Sequence, residues 1–169
     1  SDEAYAKFTG SKTNIDAAKK YLAEKDKLTA IQVKQLEYIL FLAGNNPETA
    51  GEIIKKRIDA TNAQTEKLFG FKYTLNGKAV TPNAIDEILR SSNDMNQRLA
   101  AWNSSKEVGK TLKDGLANLQ ALRNQSVTPL GYKDFFDYMA SEYSMSSEEM
   151  LELTHSMITD VWPLYRELH

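Results

Sequence analysis

Apolar residues recur every three or four positions along most of the chain, the spacing that places them on one face of an α-helix. Proline, glycine and serine separate the periodic segments. The pattern predicts helices over about residues 14–27, 30–44, 47–69, 82–90, 94–105, 106–127, 132–143 and 147–168. We expect the helix at 30–44 to be the most buried in the first half, with an apolar stripe of Ile31, Leu36, Ile39, Leu40 and Leu42.

One segment departs from the helical spacing. Between Phe71 and Val80, aromatic and β-branched residues flank Asn76-Gly77, a pair that favours the tight turn of a hairpin. An isolated two-stranded hairpin is marginally stable in water, so we expect it to pack against the neighbouring helices. The predicted fold class is therefore all-α, a multi-helix array with one small β-hairpin near residues 71–80.

Local signals mark several helix ends and interruptions. Thr29 is a predicted N-cap, and Ser146-Ser147-Glu148-Glu149 has the spacing of a capping box. Gly109 and Gly115 each weaken a helix by about 1 kcal/mol relative to alanine, so we expect a kink or a split there. Pro163 removes a backbone donor and predicts a bend in the last helix.

Composition excludes some partners. The chain has 169 residues, enough for one ordinary core, and a net charge of −2 with acidic and basic residues mixed along it. The one compact basic run, Lys55-Lys56-Arg57, lies in an amphipathic pattern and indicates a solvated face, so we predict no nucleic-acid partner. The longest apolar stretch, 38–43, is far shorter than the roughly 20 residues of a membrane span. We therefore predict no membrane span.

Candidate metal ligands are few. The chain has no cysteine and only two histidines, His155 and His169, neither of them within an H-E-x-x-H motif. Glu152-Leu153-Thr154-His155 has the Glu-x-x-His spacing of di-iron bundles, but such a site needs a second copy of the motif. A surface or helix-packing pair is the simpler interpretation. We assign no catalytic and no metal-binding residue in this chain.

Two other groups allow a functional and a structural interpretation. Glu148, Glu149 and Glu152 could form an acid–base pair, but carboxylates at a helix start also favour the helix dipole, which explains them better. Gly109-Lys110-Thr111 resembles only the end of a phosphate-binding loop, because Ser104 stands where that motif needs glycine.

An aromatic group in the last forty residues could line a peptide groove. Aromatic residues at helical spacing more often form core, so both interpretations stay open. The group comprises Tyr132, Phe135, Phe136, Tyr138, Tyr143, Trp162 and Tyr165.

Several short strings follow one another in the second half of the chain: Ala100-Ala101-Trp102, Lys106-Glu107-Val108-Gly109-Lys110, Leu122-Arg123-Asn124, Gly131-Tyr132, Tyr143-Ser144-Met145, Glu148-Glu149-Met150, Pro163-Leu164-Tyr165 and Leu168-His169. Their order and spacing resemble the angiotensin-converting-enzyme family of zinc dipeptidyl carboxypeptidases, and Tyr143-Ser144-Met145 with Glu148-Glu149-Met150 resembles its bacterial branch. Upstream, Phe8-Thr9-Gly10 and the Asn76-Gly77 hairpin fit the same family more loosely.

The resemblance implies a larger, mostly helical fold in which two halves flank a deep groove and amino-terminal helices restrict access to it. It also implies a periplasmic or secreted enzyme that cleaves peptides. The family holds zinc through H-E-x-x-H and a later glutamate, and no position of this chain matches those ligands. Phe135-Phe136-Asp137-Tyr138 stands where the animal enzymes have a tryptophan–arginine pair, so animal-type anion regulation is not implied.

These observations predict that residues 1–169 are a single amino-terminal fragment, a lid and half-groove, of a zinc peptidase that releases dipeptides from peptide C-termini. The fragment itself would be inactive, the zinc would belong to the full-length parent, and the missing C-terminal part of the same chain would be its partner. Substrate-binding residues cannot be assigned. The alternative is a self-contained helical module that binds a peptide or protein. The last helix should expose apolar residues such as Leu153, Ile158, Val161 and Leu164, and should tend to associate.

Overall fold

The computed structural model describes residues 2–168, and this part of the chain is mostly helical with one two-stranded antiparallel sheet. The predicted fold class is confirmed. The helices are α1 Asp2–Thr9, α2 Lys12–Leu22, α3 Ala30–Gly44, α4 Gly51–Phe69, α5 Pro82–Ser91, α6 Met95–Lys106, α7 Val108–Val127, α8 Phe135–Ser141 and α9 Ser147–Leu168, and the strands are β1 Tyr73–Leu75 and β2 Lys78–Val80.

The residues fall into two compact units. Unit 1 comprises the chain up to Lys55 and from Leu122 onward, and unit 2 comprises Lys56–Ala121. The core of unit 1 lies between α2, α3 and the short 3-10 turn Thr128–Leu130. Its buried side chains are Ile15, Ala18, Leu40, Ala43 and Leu130.

Unit 2 is built around α5, α6 and the hairpin. Ile85 of α5 and Ala101 of α6 are buried. The hairpin pairs Tyr73 with Val80, and the turn residues Asn76 and Gly77 have φ of 51° and 75°. These left-handed angles are the ones that the Asn-Gly pair tolerates, so this part of the prediction is confirmed.

The hairpin packs on a helix, as its marginal intrinsic stability requires. The Ser104 hydroxyl on α6 donates to the Thr74 carbonyl at 2.8 Å, and Ser104 itself is buried. The Phe71 and Tyr73 rings also meet edge to face at 4.8 Å. A hydrogen bond and ring packing thus hold the short sheet in place.

The two predicted helix N-caps, at Thr29 and at Ser146, are confirmed. The Thr29 hydroxyl accepts from the Gln32 backbone N–H, and the Gln32 side chain accepts from the Thr29 N–H at 2.8 Å. Ser146 and Glu149 form the same reciprocal pair, at 3.1 and 2.8 Å. Each box satisfies donors that a helix start leaves without partners.

Several predicted helix bounds are wrong. The sequence pattern predicts a helix from Pro47, but Glu48–Ala50 is a 3-10 turn and α4 starts only at Gly51. The predicted helix 132–143 shrinks to Phe135–Ser141, because Asp134 caps it. Helix α2 ends at Leu22, five residues early, and α1 was not predicted.

Helix α7 runs without interruption through Gly109 and Gly115, so the predicted split at these glycines is wrong. The break lies just before, at Glu107, between α6 and α7. A Cβ at Gly115 would overlap the amide of Gln64, which explains why a small residue stands there despite its low helix propensity. Helix α9 continues through Pro163.

The predicted apolar stripes are only partly buried. On α3, Ile31 and Ile39 are exposed, and the fully buried residues, Leu40, Ala43 and Gly44, all lie in its C-terminal half. On α6, Met95 and Trp102 are exposed. No helix within residues 2–168 is long and apolar enough to cross a membrane.

Tyr138 joins α8 to α3. Its side chain is 2% exposed, and its hydroxyl donates to the Phe41 carbonyl at 3.1 Å and contacts the Asn45 side-chain oxygen at 3.2 Å. Phe41 is among the last four α3 residues, whose carbonyls lack helical partners. The ring lies so close to Gly44 that a Cβ there would overlap it.

We predict that Gly44→Ala destabilises the protein by about 1–3 kcal/mol, because the added methyl forces the Tyr138 ring out of its site. Urea denaturation followed by circular dichroism measures the change. Gly51→Ala is the matched control, since a Cβ at Gly51 meets no atom within 4 Å. Equal unfolding midpoints for the two variants would contradict the predicted overlap.

Candidate functional site

Three polar contacts fix the start of α8. The Asp134 carboxylate accepts from the Asp137 backbone N–H at 2.9 Å, and Asp137 in turn accepts from the Lys133 N–H at 3.2 Å. The Asn124 side chain on α7 accepts from the Phe135 N–H at 3.0 Å. These bonds set which faces of α8 point toward α3.

The structure brings part of the predicted aromatic group together. Tyr138 stacks with Phe41 at 5.0 Å, meets Tyr132 edge to face at 5.2 Å and lies 5.4 Å from Phe135. Phe41 is also 6.1 Å from Tyr38. Tyr132, Phe135 and Tyr138 therefore form packed structure in unit 1, as the core interpretation predicts.

The remaining aromatic residues lie apart from this cluster. Phe136 and Tyr143 are exposed, and Trp162 stacks on Tyr165 at 5.4 Å within α9. The predicted group is thus divided, and a groove that contains all seven residues does not exist in the described structure.

A cavity of about 420 Å³ opens beside the cluster, and we call it the aromatic cavity. Buried Leu40 and Leu130 form its apolar floor, and the side chains of Lys34, Glu37 and Glu142 stand at its exposed rim. An apolar floor with a few charged groups is the usual character of a small-ligand site. Its lining residues are Lys34, Glu37, Tyr38, Leu40, Phe41, Leu130, Gly131, Tyr132, Ser141, Glu142, Ser144 and Met145.

Two left-handed residues shape the rim. Gly131 has φ of 108°, and Ser144 has φ of 57° although it is not glycine. Gly131 ends the turn Thr128–Leu130 and lets the chain reverse toward Tyr132. Ser144 reverses the chain between α8 and α9. The cavity therefore depends on two sharp turns as well as on the helices.

Tyr132 is the titratable group most affected by this environment. Burial raises the pKa of its hydroxyl above the ordinary 10.0, and the carboxylates of Asp137 and Glu37 raise it further. A hydrogen bond with Ser141 acts in the opposite direction. The hydroxyl is neutral at physiological pH, so it can donate a hydrogen bond.

The acidic residues at the start of α9 have structural partners. Hydrogen bonding by its own backbone N–H, and then by the side chains of Lys133 and Ser147, holds the pKa of Glu148 below its ordinary value. The Lys133 ammonium lies 3.3 Å from the Glu148 carboxylate. Glu149 completes the capping box. This arrangement suits helix capping better than proton transfer, which needs a pKa near the operating pH.

The phosphate-loop candidate lies inside a helix. Gly109, Lys110 and Thr111 belong to the first turn of α7, where the Thr111 hydroxyl donates to the Val108 carbonyl at 2.7 Å and Lys110 pairs with Glu107. The run Lys55-Lys56-Arg57 likewise lies within α4. Neither segment forms an anion-binding loop.

A family model described as angiotensin-converting enzyme matches residues 3–169. The chain belongs to the angiotensin-converting-enzyme family. No solved structure matches the chain. This family is one of metallopeptidases, whose substrates are peptides, and the match confirms the resemblance drawn from the short sequence strings.

Zinc is the metal that this family implies, and the residues described here do not fit it. Among residues 2–168, no three histidine, cysteine, aspartate or glutamate side chains come together as a metal site. Glu152 and His155 lie exposed on α9, and the second histidine, His169, lies outside the described residues. A catalytic zinc needs about three protein ligands. We therefore derive no catalytic step within this part of the chain.

Sequence reasoning missed Tyr38 and Phe41 as walls of the aromatic cavity. Both stood in an apolar run of α3 that only indicated a buried helix. Lys34, Glu37, Tyr38 and Phe41 are spaced three or four residues apart, which places them side by side on one surface of α3. The spacing alone does not show that α8 packs on this surface, so it could not identify the cavity.

We predict that alkaline pH destabilises the protein through Tyr132. Below about pH 10 this tyrosine is protonated whether the chain is folded or not, and its contribution to stability is fully present. As the pH rises from 10.0 toward the raised folded pKa, the unfolded chain loses the proton first and stability falls.

The measurement compares the unfolding free energies of the unmodified chain and Tyr132→Phe between about pH 8 and pH 11. The difference between the two unfolding free energies should be constant near pH 8. Toward pH 11 it should change in favour of Tyr132→Phe, which has no phenol to deprotonate. A difference in unfolding free energy that stays constant over the whole pH range would contradict a raised pKa of Tyr132 in the folded chain.

Proposed function

We propose that this chain is an amino-terminal, non-catalytic part of a zinc peptidase that releases dipeptides from peptide C-termini. The observation that carries the proposal is the family match across residues 3–169 of a chain whose described residues offer no metal-ligand group. The zinc ligands and the general base would then lie in another part of the longer protein, in the periplasm or outside the cell.

The proposed role of this part is to shape the substrate groove. The aromatic cavity supplies what a groove wall needs, namely an apolar floor formed by Leu40 and Leu130 and a rim that carries both signs of charge. Lys34 can pair with a peptide carboxylate, while Glu37 and Glu142 can pair with a peptide ammonium or a basic side chain. The cavity would hold part of the peptide away from the reacting bond.

The alternative function is a self-contained helical module that binds a peptide without cleaving it. The same cavity favours this alternative, because it lies wholly within unit 1 and needs no further segment to form. The two proposals differ in whether a longer gene product adds an H-E-x-x-H motif and a later glutamate.

We predict that the purified 169-residue chain retains no stoichiometric zinc and releases no dipeptide from an amino-blocked tripeptide. The reason is that its described residues supply too few ligands for the metal. Elemental analysis measures zinc, and chromatography measures the released dipeptide. The longest product of the gene is the positive control and should show both properties. A gene that ends at His169 would favour the binding module.

We also predict that Tyr38→Ala in the longest active product raises KM several-fold and leaves kcat unchanged, because the cavity binds substrate without touching the reacting bond. Tyr5→Ala is the matched control. Tyr5 is 59% exposed against 58% for Tyr38, and it does not line the aromatic cavity. Equal effects of the two substitutions would show that the cavity is not part of the groove.

A further inference from the structure

The rim of the aromatic cavity carries unbalanced charge. The charged side chains that line it are the ammonium of Lys34 and the carboxylates of Glu37 and Glu142. Neither carboxylate forms an ion pair in the part of the chain that the structure describes. If Lys34 turns toward one carboxylate, the other keeps its negative charge. The rim therefore attracts a cation more strongly than an anion.

An aromatic face lies open in the same cavity. Phe41 stacks on both Tyr38 and Tyr138, with interplanar angles of 19° and 21°, so Tyr38 ends the stack. The Tyr38 side chain is 58% exposed, which leaves the ring face turned away from Phe41 accessible. Among the described residues, no lysine or arginine lies over this ring. The ring quadrupole of tyrosine attracts a cation, so this face is available to a ligand cation.

The two carboxylates reach the cavity from different elements. Glu37 precedes Tyr38 on α3, and Glu142 is the C-cap of α8. Burial is the main cause of the raised pKa of Tyr132, and the Glu37 carboxylate also contributes to it, which agrees with a charge close to the cavity wall. A cation bound at Tyr38 is thus within the field of acidic groups from two helices.

The size and lining of the cavity suit a single long basic side chain. Its volume of about 420 Å³ is near the lower end of the range for ligand pockets, about 300–1,000 Å³. Leu40 and Leu130 offer apolar contact to an aliphatic stem while the charged head stays at the rim, as basic side chains do on apolar surfaces. A guanidinium suits this rim better than an ammonium, because it is planar, stacks on aromatic faces and pairs with a carboxylate through two parallel hydrogen bonds.

The exposed apolar residues of α9 offer no comparable selection. Leu153, Ile158, Val161 and Leu164 are exposed, as predicted. They belong to a single helix, and no residue of α9 lines the aromatic cavity. What distinguishes the cavity is that it combines a concave apolar surface with charges that select a ligand.

We propose that the aromatic cavity binds an arginine side chain of a peptide, with the guanidinium over Tyr38 and its charge paired with Glu37 or Glu142. That the ligand is a peptide rests on the proposed function. The preference for a basic side chain rests on the cavity alone, so it can be measured without catalysis. In the longer enzyme, the cavity would select peptides that carry arginine away from the cleaved bond.

The test is the binding of two capped amino acids to the 169-residue chain, followed by NMR chemical-shift titration. N-acetyl-arginine methylamide carries the cation, and N-acetyl-citrulline methylamide is a neutral match of nearly the same shape. Both lack a free carboxylate, so neither pairs with Lys34. The chain should bind the arginine probe about fivefold more tightly than the citrulline probe. Added salt should reduce this ratio, because it screens the charges at the rim.

Neutralising the two carboxylates should remove the preference. In the double variant Glu37→Gln and Glu142→Gln, the ratio of the two dissociation constants should fall to about one to two. The double variant Glu52→Gln and Glu66→Gln is the control, because both glutamates are exposed on α4, line no part of the aromatic cavity and change the net charge equally. It should keep the fivefold ratio. Circular dichroism checks that both double variants remain helical.

Two single variants test the other groups in opposite directions. Lys34→Gln should tighten binding of the arginine probe, because it removes the competing ammonium. Tyr38→Leu keeps an apolar side chain but loses the ring face, so it should weaken the arginine probe more than the citrulline probe.

Three results would overturn the arginine site: equal binding of the two probes, no binding of either, or the same loss of preference in both double variants. None of them bears on whether the longest gene product holds zinc and releases dipeptides. Conversely, a longest product without peptidase activity would overturn the proposed function and leave the measured arginine preference of the chain in place.

Discussion

The contact of Tyr138 with the end of α3 is the constraint on which unit 1 depends. The hydrogen bond from its hydroxyl to the Phe41 carbonyl spans 97 positions of sequence. Closing so long a loop costs conformational entropy, and the cost is lower when the intervening chain is already ordered. Residues 56–121 form a compact unit of their own, so the two ends of unit 1 are joined by folded structure rather than by flexible chain. The aromatic cavity lies beside this contact and is lined by the same Phe41.

Local chemistry was predictable from the sequence, whereas long-range packing was not. Thr29, Ser146 and the Asn76-Gly77 turn behave as predicted, because their partners lie within three residues of them. The length of α8 was not predictable from periodicity, since it is set by the Asp134 cap and by Asn124 on a different helix. Periodicity also overstates burial, as exposed Met95 shows, because a pattern identifies an apolar face without identifying what covers it.

The same limit applies to the candidate site. The aromatic residues after Gly131 were recognised as a group, but their assignment to core or groove required the position of α3, whose Phe41 ring stacks on Tyr138. One residue type thus serves two purposes here. Tyr138 is buried beneath Phe41, while Tyr38 stands at the exposed edge of the cavity on the same stack of rings. For a metal site, the sequence itself leaves few combinations of ligands, since it has two histidines and no cysteine.

The capping box at Ser146 and Glu149 has a consequence for folding. It starts α9 with bonds that span three residues, and the ion pair of Lys133 with Glu148 spans fifteen. Contacts between residues so close in sequence form quickly, and they form independently of distant parts of the chain. The first turn of α9 can therefore form before distant parts of the chain have folded. The exposed apolar side chains of the helix then remain available to whatever segment packs against it afterwards.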